Sequence, residues 1–175
     1  MAEREPEPLL LTGRVAPGQV ARGDAAAAPL QLELSADERT RLRGHRRSRC
    51  GHDLLLQLPR GAALEPGEWL SGPDGTPRVQ VEAAAEPLLL VRSGHPLALL
   101  RAAYHLGNRH VALQVGQDGL RLLDDPVLAD LLRQLADLHL ERRLEPFLPE
   151  AGAYGGAHDH GHDHTHAAGI PAPQP

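Results

Sequence analysis

The sequence predicts an α+β protein with an all-β unit over residues 1–80, a βαββαβ unit over 81–149, and a tail without fixed structure over 150–175. Three observations predict this. Leucines alternate at Leu30, Leu32 and Leu34 and again at Leu54, Leu56 and Leu58, the period that places side chains on one face of a strand. From Glu86 onward, apolar runs of strand length alternate with helical spacings. From Glu150 onward, large apolar side chains almost disappear, so little burial is available to offset the entropy of ordering the chain.

Composition narrows the function classes. The 175 residues carry 23 acidic and 18 basic side chains, a net charge of -5, and this length fits one or two small domains. Hydrophobic residues make up 41% and aromatics only 2%, so the cores are expected to be small and aliphatic. The single cysteine, Cys50, excludes an internal disulfide framework and a cysteine-based zinc finger, and it fits a reducing compartment. Every basic residue is arginine, which excludes phosphate-loop, Schiff-base and general-base lysines. With no GxSxG or HExxH motif, the chain reads as a non-enzyme. The opening MAEREPEPLLLTG lacks the basic start and apolar stretch of a signal peptide, and no run approaches the roughly 18 apolar residues of a membrane span. A cytoplasmic location away from membranes is the expectation.

The elements follow in order. Between the two alternating leucine trios lie Arg39, Arg41, Arg43, Arg46, Arg47 and Arg49, read as a solvated, arginine-rich strand and turn. Nucleic-acid binding through this segment is the competing reading. It is disfavoured because the chain is acidic and no aromatic side chains interleave to stack on bases. LEPGEWLSGPDGTPRVQVEAA adds glycine and proline turns around short strands. EPLLLVRS is then a strand, and Leu97, Leu100 and Tyr104 signal a helix from about Pro96 to Leu106. Pro96 suits its first turn and Gly107 a left-handed C-terminal cap. VALQV, the turn GQDG and LRLL form a hairpin. Asp125 caps a helix opened by Pro126, with Val127, Leu128, Leu131, Leu132 and Leu135 on one face, and Leu138 and Leu140 begin a closing strand. Strand, helix, strand, strand, helix, strand is the ferredoxin-like order, in which both helices cover one sheet face and the other stays free for solvent or a partner.

The tail carries the most conspicuous chemistry. His158, His160, His162, His164 and His166 alternate, so an extended chain sets them roughly 6.5 to 7 Å apart on one side. Imidazole suits Ni²⁺, Zn²⁺ or Cu²⁺, and Asp159 and Asp163 add carboxylates. An affinity tag and a pH-responsive tail are the blander readings of the same tract. A segment that pays ordering entropy at each binding event exchanges ions readily, so a carrier needs a better-defined second site. YHLGNRH supplies the candidates: His105 on the last helical turn, with a capping or packing role as the structural alternative, and His110 just past the cap.

LPRG at Leu58–Gly61, AYHLGNRHVALQ at residues 103–114, PFLPEAGAYGG at residues 146–156 and the histidine tail together resemble the UreE family of urease accessory proteins, cytosolic nickel chaperones. The resemblance implies an N-terminal β domain that contacts protein partners and a ferredoxin-like metal domain that forms a homodimer. It also implies that His110 binds metal with its symmetry mate, Ni²⁺ being cargo for apo-urease passed on through accessory proteins that include a GTPase. Some members carry further histidines after the second hairpin strand, where this chain has Leu123, Asp124 and Pro126. The shell is therefore expected to be completed by tail histidines, water or a carboxylate, with Asp124 a weak candidate. A cytosolic histidine-based metal buffer, never handing its ion to urease, is the alternative function.

Overall fold

The computed structural model describes residues 7–20 and 29–150. The chain is mixed α+β, rich in sheet, with eleven strands and three helices among those residues. The first half builds two sheets from β1 (Leu9–Leu11), β2 (Gly13–Val15), β3 (Leu30–Leu34), β4 (Arg43–Arg47), β5 (Asp53–Gln57), β6 (Trp69–Ser71) and β7 (Pro77–Ala83). Their orders are β1-β5-β4 and β2-β6-β7-β3, with β1 parallel to β5 and β3 parallel to β7. Thr12 is the hinge where the chain leaves one sheet for the other, its amide donating to Ser71 O at 2.9 Å. At Gly13 a Cβ would overlap the Ser71 hydroxyl, so that crossing admits only glycine without a shift.

The predicted period-two trios are core. Leu32, Leu34, Leu54, Leu56 and Leu58 are buried with Leu11, Leu42, Leu64, Leu70, Val79 and Val81 in one aliphatic cluster shared by the two sheets, with Leu30 packed at its edge. The expectation of an all-β first unit is corrected by α1 (Ala36–Arg39), one helical turn. Ser35 opens it: its hydroxyl accepts from the Glu38 amide at 3.2 Å while the Glu38 carboxylate accepts from the Ser35 amide at 2.9 Å. This reciprocal cap satisfies two otherwise orphaned amides and stabilises a turn too short for propensity to hold. The solvated reading of the arginine segment is corrected at its first residue. Arg39 is 7% exposed and donates to Phe147 O at 2.6 Å and Leu64 O at 3.3 Å.

The second half runs β8 (Ala85–Arg92), α2 (Pro96–Gly107), β9 (Gln114–Gly116), β10 (Gly119–Leu123), α3 (Pro126–Arg133) and β11 (His139–Pro146). Its sheet order is β11-β8-β10-β9, every neighbouring pair antiparallel. Both helices pack on the same face, since Ala102 and Leu106 of α2 and Ala129 and Leu132 of α3 share a core with Leu89, Val91, Leu120 and Leu122. Asp125 caps α3 by accepting from the Leu128 amide at 2.9 Å, and Pro96 and Pro126 open their helices.

The other sheet face is covered, against the expectation that it stays free. Leu88 is fully buried beneath Phe147, Ala36 and the partly buried Ala112, and Leu90 on the same face is 2% exposed. The reason lies in LLLV, apolar on both faces of the strand, which needs cover on both sides. After β11 the chain supplies it by turning back across the sheet, fastened where the Leu148 amide donates to Gln114 Oε1 at 2.9 Å and the Glu150 amide to Leu113 O at 2.7 Å.

Candidate metal centre

Two expectations about α2 change in the structure. Gly107 is the last helical residue rather than the left-handed cap; that conformation belongs to His110, at φ 55°. The His110 amide donates to Gly107 O at 2.9 Å and the Val111 amide to Leu106 O at 3.2 Å, the bond pair that closes a helix around a left-handed residue. Val111 then packs against the core that contains Leu106, completing the cap with an apolar contact. Glycine is the usual occupant of such a position, because a Cβ there crowds the backbone. A histidine held in it and exposed to solvent is backbone strain of the kind that marks a candidate functional position.

The second change concerns the stripe that announces the helix. Leu97, Leu100 and Tyr104 point outward and are 56%, 67% and 66% exposed, while the small Ala98 and Ala102, with Leu106, face the sheet. Val127 of α3, expected on that helix's apolar face, is likewise exposed. His110 therefore follows a helix whose outer face is apolar and has no partner within the described chain.

The remaining donors sit apart from it. His105 is half-buried, its ring edge-on to Tyr104 at a centroid distance of 5.6 Å, and its carbonyl accepts from Arg109 Nη1 at 2.8 Å. Asp124 is held by structure: its Oδ2 accepts from Arg142 Nε at 2.8 Å, while its Oδ1 is buried without a hydrogen bond. That engagement leaves it poorly placed as a ligand. His158, His160, His162, His164 and His166 lie outside the described residues. Among the described residues no three histidine, cysteine, aspartate or glutamate side chains converge on a point that would hold a metal ion. One chain thus offers a single exposed imidazole at the end of α2 and needs donors from elsewhere to fill a shell.

A polar corner in the first half was not anticipated. The exposed Cys50 thiol lies 3.4 Å from Ser48 Oγ and 3.2 Å from His52 Nδ1, and hydrogen bonding to Ser48 and then His52 lowers its pKa from the ordinary thiol value. The spacing Cys-Gly-His was its only signal. In the hairpin between β9 and β10, the guanidinium of Arg121 and then that of Arg92 hold the Asp118 carboxyl well below the usual carboxylate range.

Fold and site together define a sheet-rich α+β protein that presents a strained surface histidine at a helix end. Residues 86–169 match the family described as UreE urease accessory protein, C-terminal domain. The chain is 54% identical to the urease accessory protein UreE of Parasynechococcus marenigrum over 148 residues, which is 85% of this chain and 94% of that protein. It is 53% identical to the UreE of a Synechococcus over 131 residues, 75% of this chain and 84% of the relative. The Burkholderia ambifaria UreE is 46% identical over 148 residues, 85% of this chain and 72% of the relative. The chain belongs to the UreE family of urease accessory proteins, and its role is in urease maturation. These relatives are named as accessories to urease, not as enzymes. Among the described residues, no helix is long and apolar enough to cross a membrane.

Proposed function

We propose that this protein is a nickel metallochaperone that carries Ni²⁺ to apo-urease in the cytoplasm during assembly of the urease metal centre. The carrying observation is the pairing of His110, strained and exposed, with the unpartnered Leu97, Leu100 and Tyr104 stripe on the helix that precedes it. An apolar helix face that meets its own copy across a two-fold axis forms a self-complementary interface. The two His110 rings then lie on one side of that interface and supply two ligands from one position per chain.

On this reading residues 81–149 are a ferredoxin-like metal-binding and dimerisation domain, residues 1–80 the unit that meets the urease apoprotein and the accessory GTPase, and residues 150–175 a histidine-rich feeder. His158, His160, His162, His164 and His166 capture ions and pass them to the His110 pair, completing the shell with water. His105, facing Tyr104 one turn earlier, is a reserve ligand. Imidazole donors also admit Zn²⁺ or Cu²⁺. Protonation competes with metal at every one of these ligands, so affinity falls as pH drops through the imidazole range and release to an acceptor is reversible.

Nickel bound per dimer, measured by equilibrium dialysis on a chain truncated after Tyr154 with and without His110→Ala, tests the reading. One tight ion per dimer that disappears on substitution supports it. A truncated chain that binds no nickel in either form overturns the interface site and leaves only the tail as a metal sponge. Capture of apo-urease and its GTPase by the full chain separates a carrier from a metal buffer.

A further inference from the structure

Arginine is the chain's only fixed cation, and most of it is spent internally: Arg14, Arg41, Arg47, Arg49, Arg78, Arg92, Arg121, Arg133, Arg142 and Arg143 each pair with a carboxylate. Two that do not pair lie together. Arg43 at the start of β4 and Arg60 in the LPRG loop line one open groove of about 410 Å³ with Thr40, Arg41, Leu42 and Gly61. Its floor is rigid, because the Leu58 amide donates to Leu42 O at 3.1 Å and both leucines belong to the first-half core. Among the described residues neither Arg43 nor Arg60 has a carboxylate partner, and both are exposed. The third guanidinium, Arg41, is bonded by Asp37 at 2.5 Å in a pair whose side chains are 63% and 55% exposed, which solvent and competing anions readily open.

β4 is also the outer strand of its sheet. Its free edge is partly closed by Arg46, which donates to His45 O at 2.7 Å and Arg41 O at 3.4 Å. A strand partner is therefore discouraged at that edge, and recognition falls to the guanidinium side chains.

We infer that this groove is a docking site for an acidic, extended segment of a partner protein, whose carboxylates take Arg43 and Arg60 as forked two-bond partners. A protein segment is favoured over a nucleic acid by two features. The chain as a whole carries a charge of -5, which repels a long polyanion, and no aromatic side chain lines the groove to stack on a base. The inference gives a chemistry to the partner contact proposed for residues 1–80, and it stands apart from the metal centre.

The test uses the full chain and a fluorescently labelled peptide of alternating glutamate and leucine, with a glutamine-for-glutamate copy and a mixed-sequence single-stranded oligonucleotide as comparisons. Anisotropy should show binding of the glutamate peptide at low ionic strength that weakens with salt. Arg43→Glu with Arg60→Glu should weaken it by at least about tenfold, and Arg43→Gln with Arg60→Gln by less. Arg133→Glu, a reversal on α3, should leave it unchanged. Equal binding of the glutamine peptide, tighter binding of the oligonucleotide, indifference to both groove variants, or no binding at low salt each overturns the inference. Nickel content of the same groove variants should match that of the parent chain, so loss of peptide binding with nickel retained separates this site from the metal reading.

Discussion

The two halves of the chain dispose of their apolar surface in opposite ways. In the first half the leucines and valines of two small sheets are sealed against one another, and its buried carboxylate, Glu68, is held by a forked pair from Arg14 at 2.5 and 3.0 Å. In the second half both helices lie on one sheet face yet leave a surplus outside. Every large exposed hydrophobic side chain among the described residues, from Leu97 to Leu148, falls there. The contrast teaches that a stable half and a sticky half share one chain. The first offers a hard surface whose features are charged, and the second an apolar face with a strained histidine at its end.

Phe147 is the place to break that contrast, because it joins the halves. Fully buried with Ala36 and Leu88, its replacement by alanine is expected to cost about 4 kcal/mol in chemical denaturation, the largest effect of any single change considered. Leu56→Ala, in the sealed core of the first half, should cost about 3 kcal/mol by the same measurement.

His110→Gly sharpens the comparison by reversing the sign. It relieves the left-handed strain, so unfolding stability should rise by about 1 kcal/mol while the nickel binding proposed for a tailless chain is lost. A fall in stability would mean that the His110 ring makes a contact essential to the cap. Leu100→Glu should move monomer stability by less than about 0.5 kcal/mol, since the side chain is already exposed, yet abolish the dimer proposed above when followed by sedimentation. A dimer that survives Leu100→Glu would place the interface elsewhere.

The smallest effect is electrostatic. Asp118, and likewise Asp74 beside Arg78, titrate below the usual carboxylate range in the folded chain. Their contribution is complete above the unfolded carboxylate value of about 3.9 and is lost only as acid carries the pH down toward their lower folded values. Acid titration of Asp118→Asn should therefore differ from the parent only in the strongly acidic range, and slightly, because both carboxylates are exposed to solvent.

Much of the fold was legible in the sequence because its signals are local. The alternating leucines became buried strand faces, Asp125 and Pro126 started α3 as their chemistry dictates, and GQDG turned the hairpin with Gly119 at φ 144°, where a Cβ would strike the Val91 carbonyl. The Ser35 to Glu38 reciprocal cap is equally local, but the arginines around it read as strand and turn and mask it. At the candidate site the sequence singled out His110 but misplaced the left-handed residue. Both Gly107 and His110 stand near the helix end, and the propensity of glycine pointed to the wrong one.

By itself the sequence determined the elements, their order, and the residue types available for chemistry, since periods, caps and turn residues act over a few positions. The tertiary structure decided which apolar stripe of α2 faces the sheet. Alanines 98 and 102 let the helix approach closely, and that leaves Leu97, Leu100 and Tyr104 outside. It also decided that Arg39 is buried against a carbonyl far along the chain, that the strand LLLV is covered on both faces by distant residues, and that His110 carries the strain. Each of these depends on contacts between segments remote in sequence, and no local pattern encodes which of two apolar faces the rest of the chain will reach first.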